Sequence, residues 1–243
     1  MNNMYPEVEV GCNFLCGECT HQCIYCSTKS LGYEACKIKY AGPYRLVNNF
    51  ENIKLGTGHF YFICSQSDLF ANEVPEEFII KILAKCREFK NKYMFQTKNP
   101  YRFFEFTEQL PRNVFLGTTI ESDKDDPKLS KAPKVSLRAE AMGQLYDFAT
   151  FLTIEPICEF NLERLLDLIN HCGPDKIYIG ADSKKHDLPE PSKEEALELI
   201  GILESTGFNL ELKSNLERII GKEEMGLSNP PHAEANLQRK DGA

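Results

Sequence analysis

The chain of 243 residues is 42% hydrophobic and 26% charged, and 28 basic against 36 acidic side chains leave a formal net charge of −8. That composition excludes disorder as the main state and opposes a broad phosphate-binding surface, which rests on a clustered basic face. Apolar runs such as residues 60–64 fall far short of the roughly 20 residues of a spanning helix. Residues 1–10 lack the basic start and apolar middle of a signal peptide, so a soluble, cytoplasmic chain is expected. The abnormal number is ten cysteines, five of them between Cys12 and Cys26. Where thiols stay reduced, such a cluster points to metal or redox chemistry rather than to disulfides.

Taken in chain order, short β-branched or aromatic runs alternate with helical patterns. Strands are predicted at residues 8–11, 59–64, 93–96, 114–119, 151–154, 176–179 and 209–212. Behind Pro75, the residues Phe78, Ile79, Ile82, Leu83, Cys86 and Phe89 form one helical stripe. Seven basic residues between Lys81 and Arg102 read as a solvated helix face and loop. Leu162, Leu165, Leu166 and Ile169 repeat the stripe between an Asn161 N-cap and a Gly173 stop. Ser192 with Glu195 is a capping box for a helix carrying Ala196, Leu199, Ile200 and Leu203, closed by Gly207. Residues 1–220 read as one domain, and residues 221–243 as a polar, loosely ordered tail.

Strand and helix in alternation imply parallel pairing, since each connection is long enough to cross over. The expected class is α/β, a partial (β/α)6-type TIM barrel; a doubly wound open sheet stays open, because alternation does not set strand order. In either case function collects at the carboxyl ends of the strands. This gathers Cys12, Ser65 to Asp68, Thr97, Lys98, Thr118 to Glu121, Glu155, Gly180 to Ser183, Lys213 and Ser214.

The segment from Gly11 to Ser30 reads GCNFLCGECTHQCIYCSTKS. Cys19, Cys23 and Cys26 are spaced C-x3-C-x2-C, and Cys12, Cys16 and Cys19 repeat that spacing. Three thiolates on one loop can bind three irons of a [4Fe–4S] cube and leave the fourth open to a ligand. Cys16, Cys19, Cys23 and Cys26 also make two C-x2-C pairs, as in a zinc site, but only three residues separate them. No C-x2-C-x2-C run of a ferredoxin occurs.

ECTHQCIYCS resembles the signature of the radical S-adenosylmethionine (radical SAM) superfamily, with Tyr25 in the aromatic place before the last cysteine. FICSQSDLF, MFQTKNPYRF, LPRNVFLGTTIESD, FLTIEPI and KIYIGADS further resemble, in order, the strand ends of a phage- and mobile-element-associated radical SAM family called Gp37/Gp68-like. The resemblance implies a [4Fe–4S] cluster on Cys19, Cys23 and Cys26, with Cys12 after Gly11 competing for the first place. It also implies S-adenosylmethionine bound at the open iron of a cluster that a donor such as flavodoxin or ferredoxin reduces, and cleaved there to methionine and a 5′-deoxyadenosyl radical that takes hydrogen from an organic substrate.

By the same resemblance, Tyr25 lies near the adenine, and Ser65, Ser67 and Asp68 stand where a motif holds the methionyl amino group, although Gly-Gly-Glu is absent. Thr118, Thr119, Glu121 and Gly180 count with the cofactor-binding residues. Glu155 would point a carboxylate into the barrel mouth and meet Lys98, Lys213 or a cofactor hydroxyl. Asp68, Lys98, Glu155 and Lys213 are the candidate catalytic groups. The family's genomic company favours a nucleobase in DNA or a nucleoside as substrate and a host cytoplasm as location, with a peptide or small metabolite as the alternative. A non-catalytic iron–sulfur sensor or zinc-stabilised module is the reading from another class. Aromatic and basic residues interleave in KYMFQTKNPYRFF, where Phe95 and Phe103 are either stacking platforms or core. Cys64, Cys86, Cys158 and Cys172 read as core, Cys16 and Cys36 stay unexplained, and His21 is expected either to hydrogen-bond a cluster sulfide or to line the cofactor pocket.

Overall fold

A computed structural model describes residues 5–29, 32–184 and 186–227. Seven parallel strands form one sheet: β1 (Val10–Cys12), β4 (Phe60–Ile63), β5 (Lys92–Gln96), β6 (Val114–Thr119), β7 (Ala149–Ile154), β8 (Lys176–Ile179) and β9 (Leu210–Leu212). They lie side by side in chain order. An order with no reversal excludes the doubly wound alternative, and the sheet curls into a half-barrel with β1 and β9 as its edges. Every predicted strand is present, within two residues at each end.

The crossovers are α2 (Glu76–Arg87), a 3-10 helix over Pro100–Gln109, α3 (Val135–Gly143), α4 (Leu162–Cys172) and α5 (Lys193–Ser205). Asn161 caps α4 by accepting from the Arg164 N–H, Gly173 ends it in the left-handed region at φ 52°, and both halves of the Ser192–Glu195 capping box form. Between β1 and β4 the cysteine segment is framed by a small antiparallel pair, β2 (Leu15–Cys16) and β3 (Arg45–Leu46), and by α1 (Glu34–Lys39).

Side chains alternate along each strand. Tyr61, Ile63, Tyr93, Phe95, Leu116, Leu152, Ile154, Ile177 and Ile179 face the helices and make the main core. The opposite face fills the barrel floor with Phe62, Met94, Phe151 and Tyr178, capped by Tyr5 and Val8 from the N-terminal segment. A Cβ at Gly117 would lie 2.4 Å from the Phe151 ring, so the missing side chain is what admits that ring. Phe95 and Phe103 are fully buried, which assigns them to the core and not to a stacking surface.

Two basic residues correct the expectation of a solvated face. Lys85 is buried and donates to the carbonyls of Glu51 and Ile53, at 3.2 and 3.1 Å. Arg102 is buried and ties down the Ala71 and Val74 carbonyls. Past β9, α6 (Glu217–Ile220) and α7 (Lys222–Leu227) follow, and Met225 packs on the core, so helix extends into the stretch expected as a loose tail. Residues 228–243, with the rest of that expectation and His232, lie outside the described residues. Among the described residues no helix is long and apolar enough to cross a membrane.

Candidate active site

A cavity of about 930 Å³ opens at the carboxyl ends of the strands. Cys19, Cys23 and Cys26 all line it, whereas Cys12, Cys16 and Cys36 do not. Cys64 borders it too, at the end of β4, where a left-handed φ of 57° turns the chain into Ser65 to Asp68. Cys86, Cys158 and Cys172 are buried as expected. Burial pushes the Cys19 thiol up to about 12, the nearby Asp68 charge adding to it. Such a thiol ionises readily only where a neighbouring cation or a bound metal stabilises the thiolate.

Two buried clasps hold the cysteine loop over the barrel. In the first, His21 Nε2 lies 2.9 Å from Asp68 Oδ2. Asp68 also accepts from Thr97 Oγ1 (2.7 Å) and from the backbone N–H groups of Lys98 (2.8 Å) and Phe70 (3.0 Å). Burial alone would raise the Asp68 pKa, but His21 and these donors outweigh it and hold the carboxyl below its usual range. In the second clasp, the Tyr25 hydroxyl donates to Glu121 Oε1, which also takes Lys98 Nζ at 2.5 Å, while Arg138 Nη1 reaches Oε2 at 2.8 Å. Burial opposes the charge here as well, yet Lys98 and Arg138 hold Glu121 far below the usual carboxylate range. The Lys98 ammonium also sits 5.2 Å over the Tyr25 ring.

The opposite wall is built by the last strands. Glu155 Oε2 accepts from Lys213 Nζ at 2.5 Å and Oε1 from Asn215 Nδ2 at 2.7 Å. Burial lowers the Lys213 pKa, partly offset by Glu155, and its ammonium lies 4.2 Å over the Tyr5 ring. Between the clasps and this wall runs a polar floor: the Tyr5 hydroxyl bonds Gln96 and Thr153, and Gln96 donates to Thr119.

Most of the sequence-predicted residues therefore meet in one place. Ser65, Ser67, Asp68, Lys98, Thr119, Glu155 and Lys213 line the cavity with Tyr25. Thr118 faces the other way and donates to the Thr97 carbonyl at 2.7 Å. Glu121 stands behind the lining and acts on it through Tyr25 and Lys98. Gly180 makes room for the wall, since a Cβ there would meet Glu155 Oε1 at 2.8 Å. Sequence reasoning missed Tyr5, Gln96, Thr153 and Asn215. Strand parity pointed to Gln96 and Thr153, while nothing local marked Tyr5.

Among the described residues, no three potential ligands already stand close enough to enclose a single metal ion. Sulfurs that each hold a different iron of a cube sit farther apart than that, so three cysteines opening on one cavity suit a cube. Beside them Ser67 Oγ is buried and has no hydrogen-bond partner among the described residues, a donor left over for a bound group.

A family model described as "Protein of unknown function (DUF5131)" matches residues 8–186. The chain belongs to the DUF5131 family. No curated protein matches it. Solved structures with the same fold include a variant of spore photoproduct lyase with bound AdoMet and dinucleoside spore photoproduct, at a TM-score of 0.52 and 12% identity, covering 71% of this chain and 61% of that one. They also include Streptococcus suis SuiB bound to its precursor peptide SuiA, at 0.56 and 10%, covering 85% and 49%. SuiB bound to S-adenosylmethionine matches at 0.52 and 10%, covering 84% and 46%. The DUF5131 chain thus spans about half to three fifths of the length of these proteins, and at such identities the likeness is one of fold.

Proposed function

We propose that this chain is a radical SAM enzyme, with Cys19, Cys23 and Cys26 as ligands of a [4Fe–4S] cluster whose open iron takes S-adenosylmethionine. The observation that carries the reading is that these three cysteines, and not Cys12 or Cys16, line the strand-end cavity together with the unpartnered Ser67 hydroxyl. The neighbours in fold, spore photoproduct lyase and SuiB, are radical SAM enzymes captured with AdoMet, which supports it. The narrower likeness to the Gp37/Gp68-like family and an electron donor of the flavodoxin or ferredoxin kind belong to the same proposal.

When bound, cluster and cofactor supply a 5′-deoxyadenosyl radical able to take hydrogen from an unactivated carbon. The chain's own residues bind and shield. Tyr25, fixed by Glu121 and Lys98, presents its ring and backbone beside the ligand cysteines. Ser67 offers a hydrogen bond to the methionyl end, and Asp68 keeps that loop in place through His21. Thr119 and Thr153 on the floor offer hydroxyls to a ribose. The Glu155–Lys213–Asn215 wall faces the substrate with donors and acceptors already oriented by its half-buried ion pair.

At about 930 Å³ the cavity is near the top of the range of about 300–1,000 Å³ for small-molecule sites, which leaves room beside the cofactor for a nucleoside-sized partner. We therefore favour a nucleobase in DNA or a nucleoside as substrate, in line with the dinucleoside held by spore photoproduct lyase. Reconstituted, reduced protein should release 5′-deoxyadenosine several-fold faster with single-stranded oligodeoxynucleotides or nucleosides present. Acceleration by peptides and not by these compounds would reject that substrate class.

A further inference from the structure

We infer that Ser130 donates a hydrogen bond to the Cys23 sulfur and thereby raises the reduction potential of the cluster; this rests on the reading of Cys23 as an iron ligand. Ser130 belongs to the connection between β6 and α3, far from the cysteine segment in sequence, yet its Oγ lies 3.1 Å from Cys23 Sγ. The backbone enforces the meeting. Ile24 N–H donates to the Leu129 carbonyl at 2.9 Å and Lys131 N–H to the His21 carbonyl at 2.7 Å, so two main-chain bonds bracket Cys23 and Ser130. The far end of the connection is anchored where Asp125 Oδ1 accepts from the Val135 N–H at 2.8 Å.

The hydroxyl has one proton to place. Its oxygen accepts from the Ala132 N–H at 3.1 Å, leaving Cys23 Sγ and, at 3.4 Å, the His21 carbonyl as acceptors. A thiolate that ligates iron can only accept, and its charge and shorter distance draw the proton. Reduction adds negative charge to the iron and its sulfurs. A donor at a ligating sulfur therefore favours the reduced state, the lever by which outer hydrogen bonds tune iron–sulfur potentials.

The test is a redox titration of reconstituted protein followed by electron paramagnetic resonance, on the wild type and on Ser130→Ala, Ser130→Val and Ser130→Thr. Ala and Val are expected to disfavour reduction about tenfold, a midpoint about 59 mV more negative for a one-electron couple, while Thr, which keeps the hydroxyl in the shape of Val, stays near the wild type. Equal midpoints in all four proteins at full iron content would overturn the inference. Should Ala and Val hold no iron, Thr decides: a wild-type midpoint supports the donor, and loss of iron from Thr as well overturns it in favour of packing. Full iron in Cys23→Ala would instead show that the ligand reading itself has failed.

Discussion

Alanine at Cys19, Cys23 or Cys26 is expected to take bound iron from about four per chain to near none, and to abolish 5′-deoxyadenosine release with it. A cube with one open corner has no protein ligand to spare, so each of the three substitutions should act alone and with the same severity. Cys12→Ala and Cys16→Ala are expected to keep full iron, because those side chains lie off the cavity while Cys19, shared by both spacing patterns, lies on it. Iron and sulfide content after anaerobic reconstitution reads the result. A full cluster in Cys26→Ala would shift the ligand set to the earlier triplet and sink the assignment. None of the five cysteines supports a disulfide in the structure, so these substitutions should cost the apo-protein no more than the packing of one small side chain, about 1 kcal/mol at the buried Cys16 and Cys23 and less at the others.

The second large effect concerns stability. Glu121 is 5% exposed and is the shared partner of Lys98 and Arg138, so Glu121→Gln leaves two cations with no counter-charge at a buried site. Removing one member of a buried ion pair costs about 3–5 kcal/mol, which lowers the melting temperature of a chain this size by on the order of 10 °C. The sign of the pH dependence follows from the depressed carboxyl. Its contribution is complete above the unfolded value near 4.5 and fades as the pH falls through the lower, folded one. The gap between wild type and variant should therefore be constant above about pH 5 and narrow in acid, measured by thermal melts across that range. A gap of under 1 kcal/mol at neutral pH would show that the clasp carries little of the load.

Much of this site was legible before the fold was known, because parallel strands deliver whatever follows them to one end of a barrel. Asp68, Lys98, Glu155 and Lys213 arrive that way, as polar residues directly after apolar runs. The pairing of Glu155 with Lys213 was foreseeable from the cost of a lone buried carboxylate. Reading Thr118 and Thr119 together went against the two-residue period of a strand, which sends one inward and the other toward the helices. Other features left a weaker local mark. The two-residue strands Leu15–Cys16 and Arg45–Leu46 are too short for a pattern, and the stripe of α3, Val135, Ala139 and Met142, is short and is broken by the buried Arg138. Lys85 and Arg102 look like surface charge until the carbonyls they tie down are placed beside them. Tyr5 and Ser130 matter only through partners at great sequence distance, Thr153 and Cys23, which no spacing rule connects.

The most direct test of the account is the cleavage of its cofactor. Anaerobically reconstituted wild-type protein, reduced with dithionite or with a flavodoxin system, is incubated with S-adenosylmethionine and the products are separated. The account predicts 5′-deoxyadenosine and methionine in equal amounts, in the wild type and not in Cys26→Ala. A fully loaded cluster that yields neither product with several reductants would contradict it, and would leave an iron–sulfur binding module in place of an enzyme.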